Sequence, residues 1–148
     1  MAKSLALQII TPEKISWEGV VDSLVVPAHD GQLGILPGHA PLLAQLRPGA
    51  VQIRTQGSTR LLAVSGGFVE IFKGKTALFA ETAELAEEID SERARIAAEK
   101  AKAALKTRPG DKLDAQALAA LQRALIRLRV AELARLRPGS KSTRPPPE

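Results

Sequence analysis

The chain of 148 residues has no cysteine, so it forms no disulfide, builds no cysteine-ligated zinc site and offers no thiol nucleophile. Aromatics are almost as scarce: there is no tyrosine, and Trp17, Phe68, Phe72 and Phe79 are the whole set. All four precede the basic part of the sequence, which therefore lacks the stacking platform that single-stranded nucleic acid uses. No run approaches the ~20 apolar residues of a membrane-spanning helix, so the chain is not expected to cross a membrane itself. Met1-Ala2-Lys3-Ser4 leads directly into a strand-like run, without the long apolar segment and cleavage site of a signal peptide, and a cytoplasmic protein is expected. The most informative absence is local. Residues 81–108 contain neither glycine nor proline, whereas nine of the eleven glycines and five of the ten prolines lie in residues 1–80.

That contrast divides the chain in two. Before Glu81, short apolar runs alternate with turn residues: Leu5–Ile10, Trp17 with Val20–Val26, Leu42–Leu46, Ala50–Thr55, Thr59–Ser65, Phe68–Phe72 and Thr76–Ala80. A turn-dense segment, Gly31–Pro41, surrounds one further short strand. Eight to ten such strands predict an antiparallel β-sandwich or flattened barrel. After Ala80, alanine, leucine, glutamate, lysine and arginine dominate, and Pro109-Gly110 splits the segment into two helices. Asp90 or Ser91 caps the first and Asp111 or Asp114 the second, which runs to Arg137. Leu118, Leu121, Leu125 and Leu128 form one apolar stripe on the second helix, and fifteen alanines between Glu81 and Arg137 allow the helices to approach closely. The expected organisation is a two-part α+β protein: a sandwich over 1–84, an antiparallel helical hairpin over 85–137, and a disordered Pro-rich tail over 138–148.

Charge follows the same division. Residues 81–99 carry a formal −5 and residues 100–148 a formal +8, within a net +5 for the chain. A basic half fits an acidic protein surface or an anionic ligand, with nucleic acid the lesser alternative.

Motifs for chemistry are sparse. Gly74-Lys75-Thr76 lacks the glycine of a phosphate loop five residues earlier, where Val69 stands, and a strand follows it, so it reads as a hairpin turn. His29, His39 and Asp30 lack a third nitrogen ligand or a compact helical pairing, and no metal site is expected. Ser65 lacks the spacing of a nucleophile elbow, and no catalytic set stands out. In the helical part, Ile89, Arg93, Ile96 and Lys100 share one face of the first helix, and Arg123 and Arg127 share a face of the second opposite its leucines. An antiparallel hairpin brings these cations towards Glu84 and Asp90, where clustered arginine can hold a polyphosphate and a carboxylate can accept from a base or ribose. The plainer alternative is that Asp90 only caps the helix and the arginines are solvated.

Two stretches, Gly31-Gln32-Leu33-Gly34-Ile35-Leu36-Pro37-Gly38-His39-Ala40-Pro41-Leu42-Leu43 and Val64-Ser65-Gly66-Gly67-Phe68-Val69-Glu70, resemble the ε subunit of bacterial F-type ATP synthase. The resemblance covers about residues 4–137. It implies a non-catalytic rotor part that needs no cofactor and is peripheral to the cytoplasmic face of the cell membrane. The sandwich would bind the γ subunit and touch the c-ring, coupling proton flow to ATP synthesis on other chains. The hairpin would fold on the sandwich or extend towards the α and β subunits and inhibit ATP hydrolysis. Arg123, Arg127, Arg129 and Arg135 are then the candidates for contact with β. Ile89-Asp90-Ser91-Glu92-Arg93-Ala94 matches the motif by which some members bind regulatory ATP, which makes Glu84, Ile89, Asp90, Arg93, Ala94, Lys100, Arg123 and Arg127 candidate ATP-binding residues. A free-standing anion- or nucleic-acid-binding adaptor is the competing expectation.

Overall fold

Alternation of apolar and polar residues gives ten strands in the computed structural model, which describes residues 4–107 and 112–137. In chain order these are β1 (Leu5–Ile10), β2 (Ile15–Val21), β3 (Ser23–Ala28), β4 (Gly31–Ile35), β5 (Leu42–Leu46), β6 (Gly49–Thr55), β7 (Ser58–Val64), β8 (Gly67–Phe72), β9 (Lys75–Ala80) and β10 (Ala83–Leu85). They make one sheet in the order β10-β7-β6-β3-β5-β8-β9-β1-β2, with β4 paired to β3 off that path. The sheet doubles over so that one face closes on itself. Leu7, Ile9, Val26, Val51, Ile53, Val69 and Leu78 meet there, each at most 1% exposed.

Two details depart from the sequence expectation. β1 runs parallel to β9, with Leu7 opposite Thr76, so the sandwich is not wholly antiparallel. A parallel pair needs a long connection, and here the intervening seven strands provide it. The acidic link is also structured. Ala83–Leu85 pairs with Leu62–Val64 of β7, and a single 3-10 turn, Ala86–Glu88, follows.

Glycines fix two tight points that bear on the reading of the sequence. Lys73-Gly74 (φ +49° and +75°) forms the two-residue turn between β8 and β9, so Lys75 and Thr76 are strand residues, not a phosphate loop. Gly67 has φ +136°, and a Cβ there would lie 1.8 Å from the Phe79 carbonyl oxygen, so no side chain fits.

The helices are α1 (Ser91–Thr107) and α2 (Lys112–Leu136). The turn at Pro109-Gly110, Asp111, the side chain of Asp114 and the tail 138–148 lie outside the described residues. On α1, Ala94, Ala98 and Ala101 recur at 4-3 spacing and are buried, and Ala124 and Ala131 are buried on α2. Small side chains at these positions let the two helices pack closely, and α1 packs mainly on α2.

The leucine stripe of α2 is not its docking face. Leu118 and Leu125 are 49% and 44% exposed, while Ile126, Val130 and Ala134 turn to the sandwich. At 100° per residue Val130 and Ala134 sit about 140° and 180° from Leu125, whereas Ile126 lies about 100° from it, at the edge between the two faces. α2 therefore has two buried sides: alanines towards α1 and a short aliphatic row towards β7. Neither is long enough to dominate the hydrophobic pattern.

Candidate functional site

The hairpin docks on the outer surface of β7. Leu61, Leu62, Ala63 and Val64 are all buried, because Leu62 and Val64 face the sandwich core while Leu61 and Ala63 lie beneath α2. Val130, 0% exposed, occupies the centre of that contact among Leu61, Ala63 and Ala86, with Ala50, Ile89, Ile126 and Ala134 around it. An apolar run without alternation marks a strand covered on both faces. Leu61–Val64 carried that signal in the sequence.

Polar contacts surround the patch. The Thr82 N–H donates to Ser65 Oγ at 2.9 Å, and the Ser65 N–H donates to the Thr82 carbonyl at 3.2 Å, tying the link to the end of β7. Arg127 Nε donates to Glu84 Oε2 at 2.8 Å, in an ion pair whose side chains are 35% and 30% exposed. Further along α2, Arg135 Nη2 donates to Ser91 Oγ at 3.4 Å and Arg137 Nη2 to Gln52 Oε1 at 3.1 Å.

The Ile89–Ala94 motif has a local structural role at every interior position but one. Ile89 packs at the edge of the docking patch. Asp90 Oδ1 accepts from the Arg93 N–H at 3.0 Å, which makes Asp90 the N-cap of α1. Ala94 is buried, and its N–H donates to the Asp90 carbonyl at 3.0 Å. Arg93 is exposed, and among the described residues its guanidinium has no acidic partner.

The structure thus brings some of the candidate residues together and separates others. Glu84 and Arg127 meet. Arg123 is half-buried beside Arg127, and with Ala63, Val64, Ser65, Thr82 and Ile126 they enclose only about 10 Å³, about the space of one water molecule. Lys100 and Arg93 are exposed, and Ile96 is 54% exposed on the same face of α1. Arg129 is exposed on the opposite flank of α2. A separate ion-pair cluster lies elsewhere on α1. Arg95 bonds Glu92 and Glu99, and it holds the Glu92 carboxyl below the usual carboxylate range, first through the hydrogen bond and then through its charge.

Two further surfaces stand out on the sandwich. On the side away from the core, Phe68 of β8 pairs with Phe79 of β9, Phe72 lies further along β8, and Leu43 of β5 and Val20 of β2 are exposed on the same sheet. These five side chains are 40% to 70% exposed. At the β4–β5 turn, Leu36 is 62% exposed, and the ring Nδ1 of His39 lies 2.8 Å from the Ala40 carbonyl oxygen. Among the described residues no group of three or more His, Asp or Glu gathers for a metal, and no helix is long and apolar enough to cross a membrane.

Comparison with known proteins gives concordant matches. Residues 4–86 match the β-sandwich domain of the ATP synthase delta/epsilon chain, and residues 87–132 match its long α-helix domain. The chain is 41% identical over 133 residues to an ATP synthase epsilon chain of Desulforamulus reducens, covering 89% of this chain and all of the relative. It is 44% identical over 131 residues to that of Nitratidesulfovibrio vulgaris, covering 88% of this chain and 97% of the relative. Among solved structures, a chain in the cryo-EM structure of the Euglena gracilis mitochondrial ATP synthase (OSCP, F1 and c-ring, rotational state 1) superposes with a TM-score of 0.74 at 25% identity. That superposition covers 88% of this chain and 81% of that one.

Proposed function

Because the chain belongs to the ATP synthase delta/epsilon family, we propose that it is a rotor subunit whose sandwich anchors the central stalk and whose hairpin regulates ATP hydrolysis. The sandwich binds γ through the Leu43–Phe68–Phe72–Phe79 surface, since exposed apolar area of this kind is characteristic of a protein interface. The β4–β5 turn, with Leu36 outward, touches the c-ring. Catalysis belongs to the α and β subunits. The protein works at the cytoplasmic face of the membrane as a peripheral part of the complex.

The observation that carries the regulatory half is the small size of the docking patch. Among the described residues Val130 is the one side chain of α2 larger than alanine that is fully buried there, and the helix's remaining anchors are half-buried or polar. A contact of this size can release and re-form without unfolding the sandwich. The released hairpin extends along γ and presents Arg123, Arg127, Arg129 and Arg135 to an acidic surface of β. Docking occupies two of these four, Arg127 with Glu84 and Arg135 with Ser91, so docking and inhibition compete for the same side chains.

ATP is the proposed effector of the docked state. Arg93 and Arg123 have no acidic partner among the described residues, Arg123 lies beside the Arg127–Glu84 pair, and Asp90, Arg93 and Lys100 belong to the start and exposed face of α1. Ile89 and Ala94 position the start of α1. A ligand moves the equilibrium only by its differential affinity for the two states, so ATP must bind the docked form more tightly.

Two experiments test these readings. Val130→Asp places a charge in the patch and releases the hairpin, so the assembled complex should hydrolyse ATP more slowly while γ still co-purifies with the chain. Unchanged hydrolysis removes the regulatory arm from the reading, and loss of γ removes the anchor. In calorimetric titrations of the isolated chain, Asp90→Asn keeps the cap but loses the charge. That variant and Arg93→Ala should both lose ATP binding, and unaltered isotherms for both sink the sensor.

A further inference from the structure

On the flank of α2 opposite Glu84 and Arg127, a cleft of about 500 Å³ separates the helix from the sandwich. Pro27, Arg47 and Pro48 form its sandwich wall, and Gln122, Leu125, Ile126 and Arg129 its helical wall. The sandwich wall is rigid. Both prolines fix their own φ, and Pro27 packs on Gly49 so closely that a Cβ there would sit 3.0 Å from the ring. The backbone N–H of Arg47 donates to the Pro27 carbonyl at 2.8 Å, and its side-chain Nε donates to the Ala28 carbonyl at 3.3 Å. The Nε bond orients the guanidinium, and no bond is made by its terminal nitrogens among the described residues. Arg129 faces the same space from α2. Neither arginine has an acidic partner among the described residues, and no carboxylate lines the cleft.

Arg47 and Arg129 are both exposed, so water screens their repulsion, but the docked hairpin brings two cations to one cleft without a carboxylate to balance them. An anion between them supplies that balance and adds charge-assisted hydrogen bonds from both guanidiniums. The geometry points to a second anion site, in which a diphosphate group bridges Arg47 of the sandwich and Arg129 of the hairpin, with the Gln122 amide as a further donor. Leu125 and Ile126 supply an apolar floor on which an attached organic body can lie. The site exists only while α2 is docked, because its two halves come from parts that separate on release. Occupancy therefore holds the hairpin down and keeps Arg129 from the β subunit, independently of any nucleotide held at Arg93, Arg123 and Arg127.

The test is titration of the full-length chain with inorganic pyrophosphate at low ionic strength without magnesium, repeated with a nucleoside diphosphate. Both titrations use the Arg93→Ala chain as background, in which the proposed ATP site is disabled, and saturable one-to-one binding is expected. Either Arg47→Ala or Arg129→Ala should weaken it at least tenfold, and Gln122→Glu, which adds a repelling carboxylate at an exposed position, should do the same without removing a cation. Arg123→Ala should leave pyrophosphate binding within twofold. Equal affinity for the two probes assigns the site to free phosphate anions, and tighter binding of the nucleoside diphosphate assigns it to phosphorylated organic molecules using the apolar floor. Absence of saturable binding of either probe overturns the proposal. So does binding that survives both arginine variants, or that Arg123→Ala abolishes equally.

Discussion

Truncating Val130 to alanine should release the hairpin without unfolding the sandwich. The Val130 side chain is 0% exposed and is enclosed by Leu61, Ala63 and Ala86. Valine to alanine removes two buried carbons at about 0.8 kcal/mol each. A partly relaxed cavity between a helix and a strand raises the loss to about 2 kcal/mol. That corresponds to a roughly thirtyfold increase in the released population. Native-state hydrogen exchange reads it directly: amides of α2 should exchange about thirtyfold faster, while those of β1 and β9, remote from the patch, keep their rates. Leu125→Ala is the control, because that leucine is 44% exposed and its loss should change the opening by under about 0.5 kcal/mol. Equal acceleration in β1 and β9 would show that the patch opens only with global unfolding. Equal effects of the two substitutions would return the docking face to the leucine stripe. Either result refutes the reasoning.

Other consequences are equally specific. Gly67→Ala, with its Cβ driven into the Phe79 carbonyl at a positive φ, should destabilise the sandwich by about 3 kcal/mol or more, seen as a large fall in Tm. Glu84→Gln removes a partly exposed ion pair with Arg127 and should weaken docking by about 0.5–1 kcal/mol, a difference that shrinks in high salt. Asp90→Ala should reduce the stability of α1 by about 1 kcal/mol, measured by circular dichroism, and Asp90→Asn should restore most of it because the Arg93 N–H keeps an acceptor. The Glu92 carboxyl, lowered by Arg95, contributes helix stability above its unfolded pKa and loses it as pH falls through the folded value. Arg95→Ala should return the Glu92 titration, followed by NMR, to the ordinary carboxylate range.

Much of the architecture was legible because it rests on local rules. Turn residues bracket alternating apolar runs, so nearly every strand could be read from Leu5 to Ala80. Asp90 at the head of an alanine-rich segment reads as a cap because only the following residues are needed to satisfy it. β10 was not legible: three residues of an acidic link pair with β7 only because that strand has a free edge within reach. The leucine stripe misled for a related reason. A helix packed on two sides has two short apolar rows, and Leu118 and Leu125, the more conspicuous residues, belong to neither.

The sequence by itself determined most of the strands, both helices, the Asp90 cap and the family, through motifs whose glycines are required by backbone geometry at Gly67. Only the tertiary structure decided which face of the hairpin meets the sandwich and which arginines are engaged. Arg123, Arg127 and Arg129 look alike in the sequence, yet one lies half-buried beside Ser65 and Thr82, one bonds Glu84 and one faces Arg47 across a cleft. Those partners lie tens of residues away along the chain. Packing alone brings them together, and no pattern within one helix encodes which side of it will be covered.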